Sequence, residues 1–525
     1  MVDKRITAIE AASIIQDNDT VCTVAMTLVG ASESILKAIE NRFDKSNSPK
    51  NLTILHSCGQ SDRKDGLQHL AHEGLVKRII GSHWGLQPKW MNLISENKVE
   101  AYCMPQGQIA QLYSSMACGL PGKISKVGLG TFIDPRVESG KMNELTKNLE
   151  DLISVESIQG EEYLLYKNIP IDICIIRGTF CDTSGNLTDI EEAMKLEVLP
   201  AVLATKRFGG KVIAQVKHVV ENNTIKPKDV VVPGVFIDHI VECDNPLEDH
   251  RQTSSTYFNP AYSGQIRIAS EKINQVIPLN ERKFIARRAV MEAKQGDIVN
   301  LGTGIPNDMV GKICEEEKIL DQLMITVESG IYGGIQEGGV DFGIGKNLTA
   351  MITHDSQMMF YNGTGVDITF MGLGEAEFSG HVNSTKMGNM CPGAGGFIDI
   401  TQNAKKIVFC GTFTAKGLNV KFDNQKLTIL NEGSVKKFVS KVGQISFNGD
   451  IAKGKNQEVI IVTERAVFKL EKDGLHLIEI AEGIDLQKDI LDLMDFKPII
   501  GEVKLIPKNI FNQEGPANIQ LKEKN

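Results

Sequence analysis

Short apolar runs alternate with amphipathic stretches along most of the chain. VCTVAMTLVG at 21–30 is an apolar run that ends at a glycine turn, and SILKAIENRF after it has apolar residues at helical spacing. The second half repeats this order, with DIVNLGTGIP at 297–306 followed by NDMVGKICEEEKIL. Strands that alternate with helices favour parallel sheets covered by helices, and such sheets bind ligands at the carboxyl ends of their strands.

Further matches between the halves indicate an internal duplication. They pair NLTILHSCG (51–59) with LMITVESG (323–330), ICIIRGTF (173–180) with IVFCGTF (407–413), and DVVVPGVFIDHIV (229–241) with EVIIVTERAVFKL (458–470). Because the matched segments keep one order, we predict a tandem duplication. The predicted fold class is α/β, with two homologous three-layer α/β/α domains built on mainly parallel sheets.

The domain boundary is expected where the duplication has no counterpart. The stretch 221–275 is rich in Pro, Asn, Ser and Asp and matches nothing in the second copy, so it is interpreted as a connector. A length of 525 residues is also more than one domain usually holds. We therefore predict an N-terminal domain over 1–275, which includes the connector, and a C-terminal domain over 276–525.

Composition and charge exclude several functions. The net charge of −9 with scattered basic residues offers no footprint for nucleic acid. Ten cysteines without a CxxC pair or metal-type spacing predict reduced thiols, no metal site and a cytoplasmic location. The N-terminus resembles no targeting segment, and no apolar run reaches the roughly 18 residues that a membrane span needs, so no membrane partner is expected.

One position stands out because its chemistry differs between the two copies. After the apolar run 324–327 the second half has Glu328, Ser329 and Gly330, where the first half has Ser57, Cys58 and Gly59. Only the second half has a carboxylate at this position. A carboxylate at the end of a buried strand is costly to desolvate, which favours a functional role. The alternative is structural: Glu328 caps a following helix or meets a basic partner.

Glycine-rich loops occur around Glu328 and at two other places in the second half. VESGIYGGIQEGG surrounds Glu328, and LGTGIP and CPGAGGFIDI add two more loops where backbone can approach a ligand closely. The turn from Gly302 to Pro306 lies between a predicted strand and helix, so its amides favour an anion, although a tight βα turn alone explains it as well. No GxxxxGK[ST], GxSxG or HExxH motif is present, which excludes the corresponding enzyme classes.

Histidines and cysteines near these loops have simpler interpretations. His56 and His83 lie close to apolar runs, where a lone histidine usually satisfies a structural hydrogen bond. Cys58 and Cys391 have no obvious histidine partner in the sequence and are interpreted as buried thiols.

The loop sequences carry a family resemblance. At VESGIYGG, GTGIP, GHVNSTKMG, CPGAGGFIDIT and GTFTAKGL the second half resembles the family I coenzyme A transferases, and GLGTFIDPR (128–136) and RGTFCDTSGN (177–186) extend the likeness into the first half. It is most similar to the single-chain propionate or acetate CoA-transferase branch. AEGID departs from the pattern, with Glu482 where the family has Pro, at a distance in sequence from the loops.

The resemblance implies a mechanism and a set of site residues. The glutamate of E-x-G-x-x-G-G falls on Glu328, which would carry coenzyme A as a glutamyl thioester in ping-pong transfer from a short-chain acyl-CoA to an acetate, propionate, butyrate or 3-oxo acid. The oxyanion and substrate loops implied are Gly304, Ile305, Asn383, Gly395 and Gly396. The coenzyme-binding residues implied are Gly302, Thr303, Gly304, Ile305, Pro306, Gly396 and Lys416. Ordinary alternatives exist for two of these residues: a solvated surface lysine at Lys416 and a turn-forming asparagine at Asn383.

The resemblance also implies substrates and an assembly state, and two alternative functions remain open. Coenzyme A and acyl-CoA are expected as substrates, with no permanently bound cofactor, and the family implies a homodimer or homotetramer. One alternative is an acyl-CoA hydrolase on the same scaffold, which needs no acceptor carboxylate. Another is a non-catalytic protein that binds small metabolites, against which the retained Glu328 among intact glycine loops argues.

Overall fold

A computed structural model describes residues 3–269 and 277–524 and shows two large sheets. The strands of the first sheet are β1 Thr20–Thr23, β2 Leu52–Leu55, β3 Val76–Gly81, β4 Glu100–Cys103, β5 Ile173–Asp182, β6 Leu187–Thr188, β7 Lys211–Val220, β8 Val230–Val232 and β9 His239–Glu242. They lie in the order β8-β6-β5-β1-β2-β3-β4, and β7 joins β5 to β9.

The second sheet has ten strands. They are β10 Ile298–Leu301, β11 Met324–Thr326, β12 Ile331–Tyr332, β13 Ala350–Met351, β14 Ile368–Gly372, β15 Lys406–Cys410, β16 Glu458–Val462, β17 Ala466–Glu471, β18 Gly474–Ile480 and β19 Ile499–Leu505. Their order is β13-β12-β11-β10-β14-β15-β16-β17-β18-β19.

Helices connect and cover these strands. They are α1 Ala8–Ile14, α2 Glu33–Ser46, α3 Pro88–Ser95, α4 Gln106–Ala117, α5 Glu144–Lys147, α6 Val198–Arg207, α7 Pro246–Asp249, α8 Glu281–Val290, α9 Gly311–Glu316, α10 His354–Asn362, α11 Phe397–Thr401 and α12 Gly449–Gly454. Smaller antiparallel sheets pair Gly122–Ser125 and Ile153–Ile158 with Glu161–Lys167, and Asn419–Asp423 with Lys426–Asn431. Within the described ranges no helix is both long and apolar enough to cross a membrane.

The predicted α/β class with mainly parallel sheets is confirmed. In the first sheet β1 pairs in parallel with β2 and β5, and in the second β10 pairs in parallel with β11 and β14. The β2 and β11 strands therefore hold corresponding places, as the match of NLTILHSCG with LMITVESG predicts. Their carboxyl ends carry Ser57 in one half and Glu328 in the other.

Two of the predicted matches do not reproduce a sheet position. DVVVPGVFIDHIV forms β8, antiparallel to β6, and β9, parallel to β7, whereas EVIIVTERAVFKL forms β16, parallel to β15, and β17, antiparallel to β16. The ICIIRGTF segment forms β5 beside the first strand of its sheet, whereas IVFCGTF forms β15, which β14 separates from β10. Both segments are apolar runs that end at Gly-Thr-Phe, and this local likeness carries no information about which neighbour each strand pairs with. The strand that β5 matches in position is β14.

The predicted connector is partly structured. Strands β8 and β9 lie inside the range 221–275 and belong to the first sheet. Beyond them the segment reaches the second half, where Ser254 Oγ donates to the Val340 carbonyl at 3.0 Å and Ile268 N donates to Asn347 Oδ1 at 2.9 Å. The predicted boundary at 275/276 lies outside the described residues, so the domain limits stay a prediction.

The two halves pack against each other through buried polar contacts. Asp399 accepts from Gly107 N at 2.9 Å and from Gln108 Nε2 at 2.8 Å, and its side chain is fully buried. Ser82 O accepts from Gly395 N at 2.8 Å. Loops from both halves therefore meet along one seam, and the glycine-rich loops lie on it.

Candidate active site

Glu328 lies just beyond the end of β11, where the chain turns back sharply. Gly330 N donates to Val327 O at 3.0 Å, and Gly330 has φ +98°, a conformation that side-chain-bearing residues rarely adopt. A Cβ at Gly330 would lie 2.1 Å from Ile352 O, so only glycine allows this close approach. The turn fixes Glu328 at 8% exposure on the wall of a cavity of about 610 Å³.

Residues of both halves line the cavity. Residues of the first half line part of it, and residues of the second half, including those of the glycine-rich loops, line the rest. First-half lining residues include Met26, Thr27, Gly59, Arg63, His83, Gly85, Leu86 and Gln106. Second-half lining residues include Gly302, Thr303, Gly304, Asn307, Asp308, Gly339, Phe342, Met371, Ser384, Gly393, Gly395 and Gly396.

The CPGAGG loop approaches the carboxylate most closely. A Cβ built on Gly396 would lie 3.3 Å from Glu328 Oε2, which places this backbone beside the carboxylate. The amide of Gly395 is already bonded to Ser82 O, whereas the amide of Gly396 donates to no atom of the described chain. Of the two predicted oxyanion donors in this loop, Gly396 is the one whose amide is available.

The GTGIP turn presents a second set of amides to the cavity. Gly302, Thr303 and Gly304 line it, and the amides of Thr303 and Gly304 donate no hydrogen bond within residues 3–269 and 277–524. The amide of Ile305 also donates to no atom of the described residues, whereas Asn307 N bonds Gly302 O and Asp308 N bonds Gly304 O. The predicted anion site thus has available donors at its tip.

Four predicted site residues lie outside the cavity lining. Ile305 and Pro306 lie behind the GTGIP tip, and Lys416 is exposed at a left-handed turn with φ +60°. Asn383 is buried, with its amide nitrogen on Glu375 Oε2 at 2.8 Å and on Lys386 O at 2.6 Å, so it stabilises a turn. Its neighbour Ser384 lines the cavity instead.

Burial sets the electrostatics of the carboxylate. Desolvation raises the pKa of Glu328 to about 7, His354 opposes this rise, and Asp399 adds to it. The pKa of Asp399 is itself raised to about 6 by burial, against the hydrogen bonds it accepts. Glu328 therefore titrates near neutrality, where its ionised form is poorly solvated.

A buried polar network lies behind the cavity. His354 Nδ1 is 2.6 Å from Glu197 Oε2, and the other oxygen of Glu197 accepts from the hydroxyl of Ser57. On the opposite side of the ring, His354 Nε2 lies 2.9 Å from the amide nitrogen of Gln106 and 3.7 Å from Cys58 Sγ. Cys58 thus has a histidine partner that the sequence did not reveal, since the two are 296 positions apart.

This network does not have the geometry of a metal centre. Ligand atoms of Cys58, Glu197 and His354 lie within 4.8 Å of one another. However, His354 Nδ1 and Glu197 Oε2 lie 2.6 Å apart, which is a direct hydrogen bond, so these two atoms bond each other in place of an ion.

The two histidines singled out in the sequence differ in their surroundings. His56 is fully buried, with Nδ1 2.6 Å from Cys58 O and Nε2 accepting from Trp84 Nε1 at 3.1 Å, which agrees with its structural interpretation. His83 instead lines the cavity, and its ring makes no hydrogen bond to the described residues. Burial lowers the pKa of His83 to about 4, so it faces the cavity as a neutral imidazole.

Comparisons with known proteins give a consistent family. A family model described as Coenzyme A transferase matches residues 5–243. Caffeate CoA-transferase of Acetobacterium woodii is 41% identical over 97% of this chain and 98% of its own length. Acetate CoA-transferase YdiF of Escherichia coli strain K12 is 41% identical over 96% of this chain and 94% of its own.

Solved structures give the same result. The acyl-CoA transferase YdiF of Escherichia coli O157:H7, as apoenzyme, superposes with a TM-score of 0.92 at 39% identity, covering 99% of this chain and 98% of that one. A second structure of that protein, a thioester complex with CoA, matches equally well, with a TM-score of 0.92 and the same coverage.

Proposed function

This chain belongs to the coenzyme A transferase family, and from that premise we propose that Glu328 carries coenzyme A between two carboxylic acids. Transfer of coenzyme A to a carboxylate is the activity that the relatives support. The observation that carries the assignment to Glu328 is its position: a carboxylate on the cavity wall, 8% exposed, beside the backbone of Gly396.

The first half-reaction forms the covalent carrier. A carboxylate oxygen of Glu328 attacks the thioester carbonyl carbon, the C–S bond breaks, and a mixed anhydride and free CoA thiolate result. The thiolate then attacks the glutamyl carbon of the anhydride and expels the donor acid as its carboxylate. Glu328 is left as a glutamyl-CoA thioester, with no net gain or loss of protons.

The second half-reaction reverses these steps with another acid. The acceptor carboxylate attacks the glutamyl thioester, the released thiolate attacks the acyl carbon of the new anhydride, and Glu328 returns to its ionised form. Each step exchanges one activated acyl group for another, so no ATP is required. The short-chain acids named from the sequence remain the proposed substrates.

Backbone amides would stabilise the tetrahedral intermediates. The amide of Gly396 lies beside Glu328, and those of Thr303 and Gly304 line the same cavity without intramolecular acceptors. A single oxyanion donor typically contributes about 3 kcal/mol to transition-state stabilisation. We assign the donor beside the carboxylate to Gly396, because the amide of Gly395 is occupied by Ser82.

Location and assembly are further parts of the proposal. All ten cysteines are free, which supports a reducing, cytoplasmic setting. A homodimer or homotetramer is proposed from the family resemblance, and light scattering of the purified protein tests it.

The experiment that tests the function compares two isosteric variants in the same loop. Glu328→Gln should abolish acetyl-CoA:propionate exchange, because an amide cannot act as the nucleophile. Glu337→Gln is the matched control, since Glu337 lies outside the cavity lining and bonds Tyr262 and Lys346. Exchange should require an added carboxylate; thioester cleavage without one would instead identify a hydrolase, and wild-type exchange by Glu328→Gln would refute the assignment.

A further inference from the structure

A buried ion pair next to the cavity takes no part in the transfer steps described above. Glu197 of the first half and His354 of the second are both fully buried, with 2.6 Å between Oε2 and Nδ1. Ser57 donates to the remaining oxygen of Glu197. The pair therefore joins the two halves, and His354 is close enough to act electrostatically on Glu328.

The pair is charged in spite of its burial. Burial opposes a charge on the His354 ring, but Cys58 and Glu197 raise the pKa of His354 well above its ordinary value. Burial also raises the pKa of the Cys58 thiol. Glu197 is the nearer group, with Oε2 2.6 Å from His354 Nδ1 against 3.7 Å between Cys58 Sγ and Nε2. Glu197 is fully ionised, because His354 and Ser57 lower its pKa against the effect of burial.

The backbone places this charge close to Glu328. Ile352 N donates to Gly330 O at 2.8 Å, so the segments that carry His354 and Glu328 run side by side. His354 is also the first residue of α10, where the helix dipole disfavours a cation. The Glu197 carboxylate, 2.6 Å from Nδ1, compensates a positive charge there.

We infer that the Glu197–His354 pair is a positioning device that holds a positive charge behind Glu328 and keeps this carboxylate ionised for attack. The inference rests on the proposed function, because it assigns the pair to the reactivity of the proposed nucleophile. Glu197 belongs to the first half of the chain and stabilises the positive charge on His354, which belongs to the second half.

Gln106 links the pair to the cavity. It lines the cavity, and its amide nitrogen lies 2.9 Å from His354 Nε2. A protonated ring has no acceptor, so a half-turn of the amide brings its oxygen to Nε2 and turns its NH₂ group toward the cavity. The charge on His354 thus also prepares Gln106 to donate to a substrate oxygen.

The charged surroundings determine the sign of the effect. Glu328 faces His354, which lowers its pKa, and Asp399, which raises it. His354 faces Cys58 and Glu197, and it lowers the pKa values of Glu328 and Asp399. Removing the charge on His354 leaves burial and Asp399 unopposed, so the pKa of Glu328 must rise.

The test measures the single-turnover rate of CoA adduct formation on Glu328 with acetyl-CoA alone, between pH 5.5 and 9. The wild-type rate should rise with a midpoint near pH 7. In His354→Gln and in the isosteric Glu197→Gln the midpoint should move upward by about one pH unit, with about tenfold slower reaction near pH 6 and recovery at high pH. Glu197→Gln keeps hydrogen bonding to the ring and to Ser57, so its fold is preserved.

His56→Gln is the matched control. His56 is an equally buried histidine, but burial lowers its pKa to about 4, so its replacement removes no charge and should leave the midpoint in place. Equal midpoints in wild type and both network variants, or a loss that is uniform across pH, would overturn the inference. Absence of any wild-type adduct on Glu328 would instead show that the proposed function has failed.

Discussion

Holding an ionised carboxylate in a dry cavity lowers the stability of the fold. The pKa of Glu328 is raised from 4.5 to about 7, so the folded state binds its proton more tightly than the unfolded state does. The penalty is absent below about pH 4.5, grows between the two pKa values, and is complete above about pH 7, where a difference of this size corresponds to about 3 kcal/mol.

Glu328→Gln should therefore be more stable than the wild type at pH 8, because it removes this penalty while keeping the shape of the side chain. The difference in melting temperature should shrink as the pH falls to 5. Thermal unfolding of the two proteins across this range checks the prediction. A variant that is less stable than the wild type at pH 8 would mean that Glu328 is not a desolvated carboxylate.

At the scale of single residues, the sequence predicted Glu328 as a site residue and missed the residues around it. Glu328 stood out because only one of two matched strand ends carries an acid, and the family resemblance then implied its catalytic role. Nothing local marks Glu197 or His354, which are 157 positions apart and meet only because the halves pack together. His83 was assigned a structural role, and its lack of a hydrogen-bond partner could be recognised only in three dimensions.

Among the elements, the turn after β11 is the one that positions the nucleophile. Gly330→Ala should lower the melting temperature and slow adduct formation, because its Cβ would lie 2.1 Å from Ile352 O at φ +98°. Backbone strain of this kind typically costs about 1–3 kcal/mol. Gly296→Ala is the control: Gly296 has φ +78° but no atom within 4 Å of its Cβ, so the change should cost stability without slowing the chemistry. Equal effects of both changes on the rate would contradict the role of the turn.

Elements were predictable from the sequence as far as local patterns determine them. The apolar runs gave β2 and β11 as matched strands, and the glycine turns marked the loops that line the cavity. The shared Gly-Thr-Phe sequence did not predict the position of a strand in its sheet. An apolar run that ends at glycine forms a strand at β5 and at β15 alike, although the two strands hold different positions.

At the scale of the whole molecule, the seam between the halves should contribute to stability as well as to the site. Asp399→Asn replaces an acceptor for Gly107 N and Gln108 Nε2 with an amide whose NH₂ group cannot accept. At pH 4 the desolvation penalty of Asp399 is small, because its folded-state pKa is about 6. One buried donor left unpaired costs about 1–3 kcal/mol, so the melting temperature at pH 4 should fall. The exposed Asp321→Asn should leave it unchanged. Equal stability of the two variants would mean that this contact does not stabilise the packing.

The α/β class and the duplication could be argued from repeated patterns, whereas the seam could not. Its contacts join residues such as Gln108 and Asp399 that are 291 positions apart, and no periodicity specifies such pairs. The division at 275/276 remains a prediction, since it falls outside the described residues.

The most direct measurement of the central claim is the mass of the protein after incubation with acetyl-CoA and no acceptor acid. We predict an added CoA moiety on the peptide that contains Glu328, lost again when acetate is added, and absent from Glu328→Gln. Continued exchange without any adduct on that peptide, or an adduct that maps to another residue, would contradict the account.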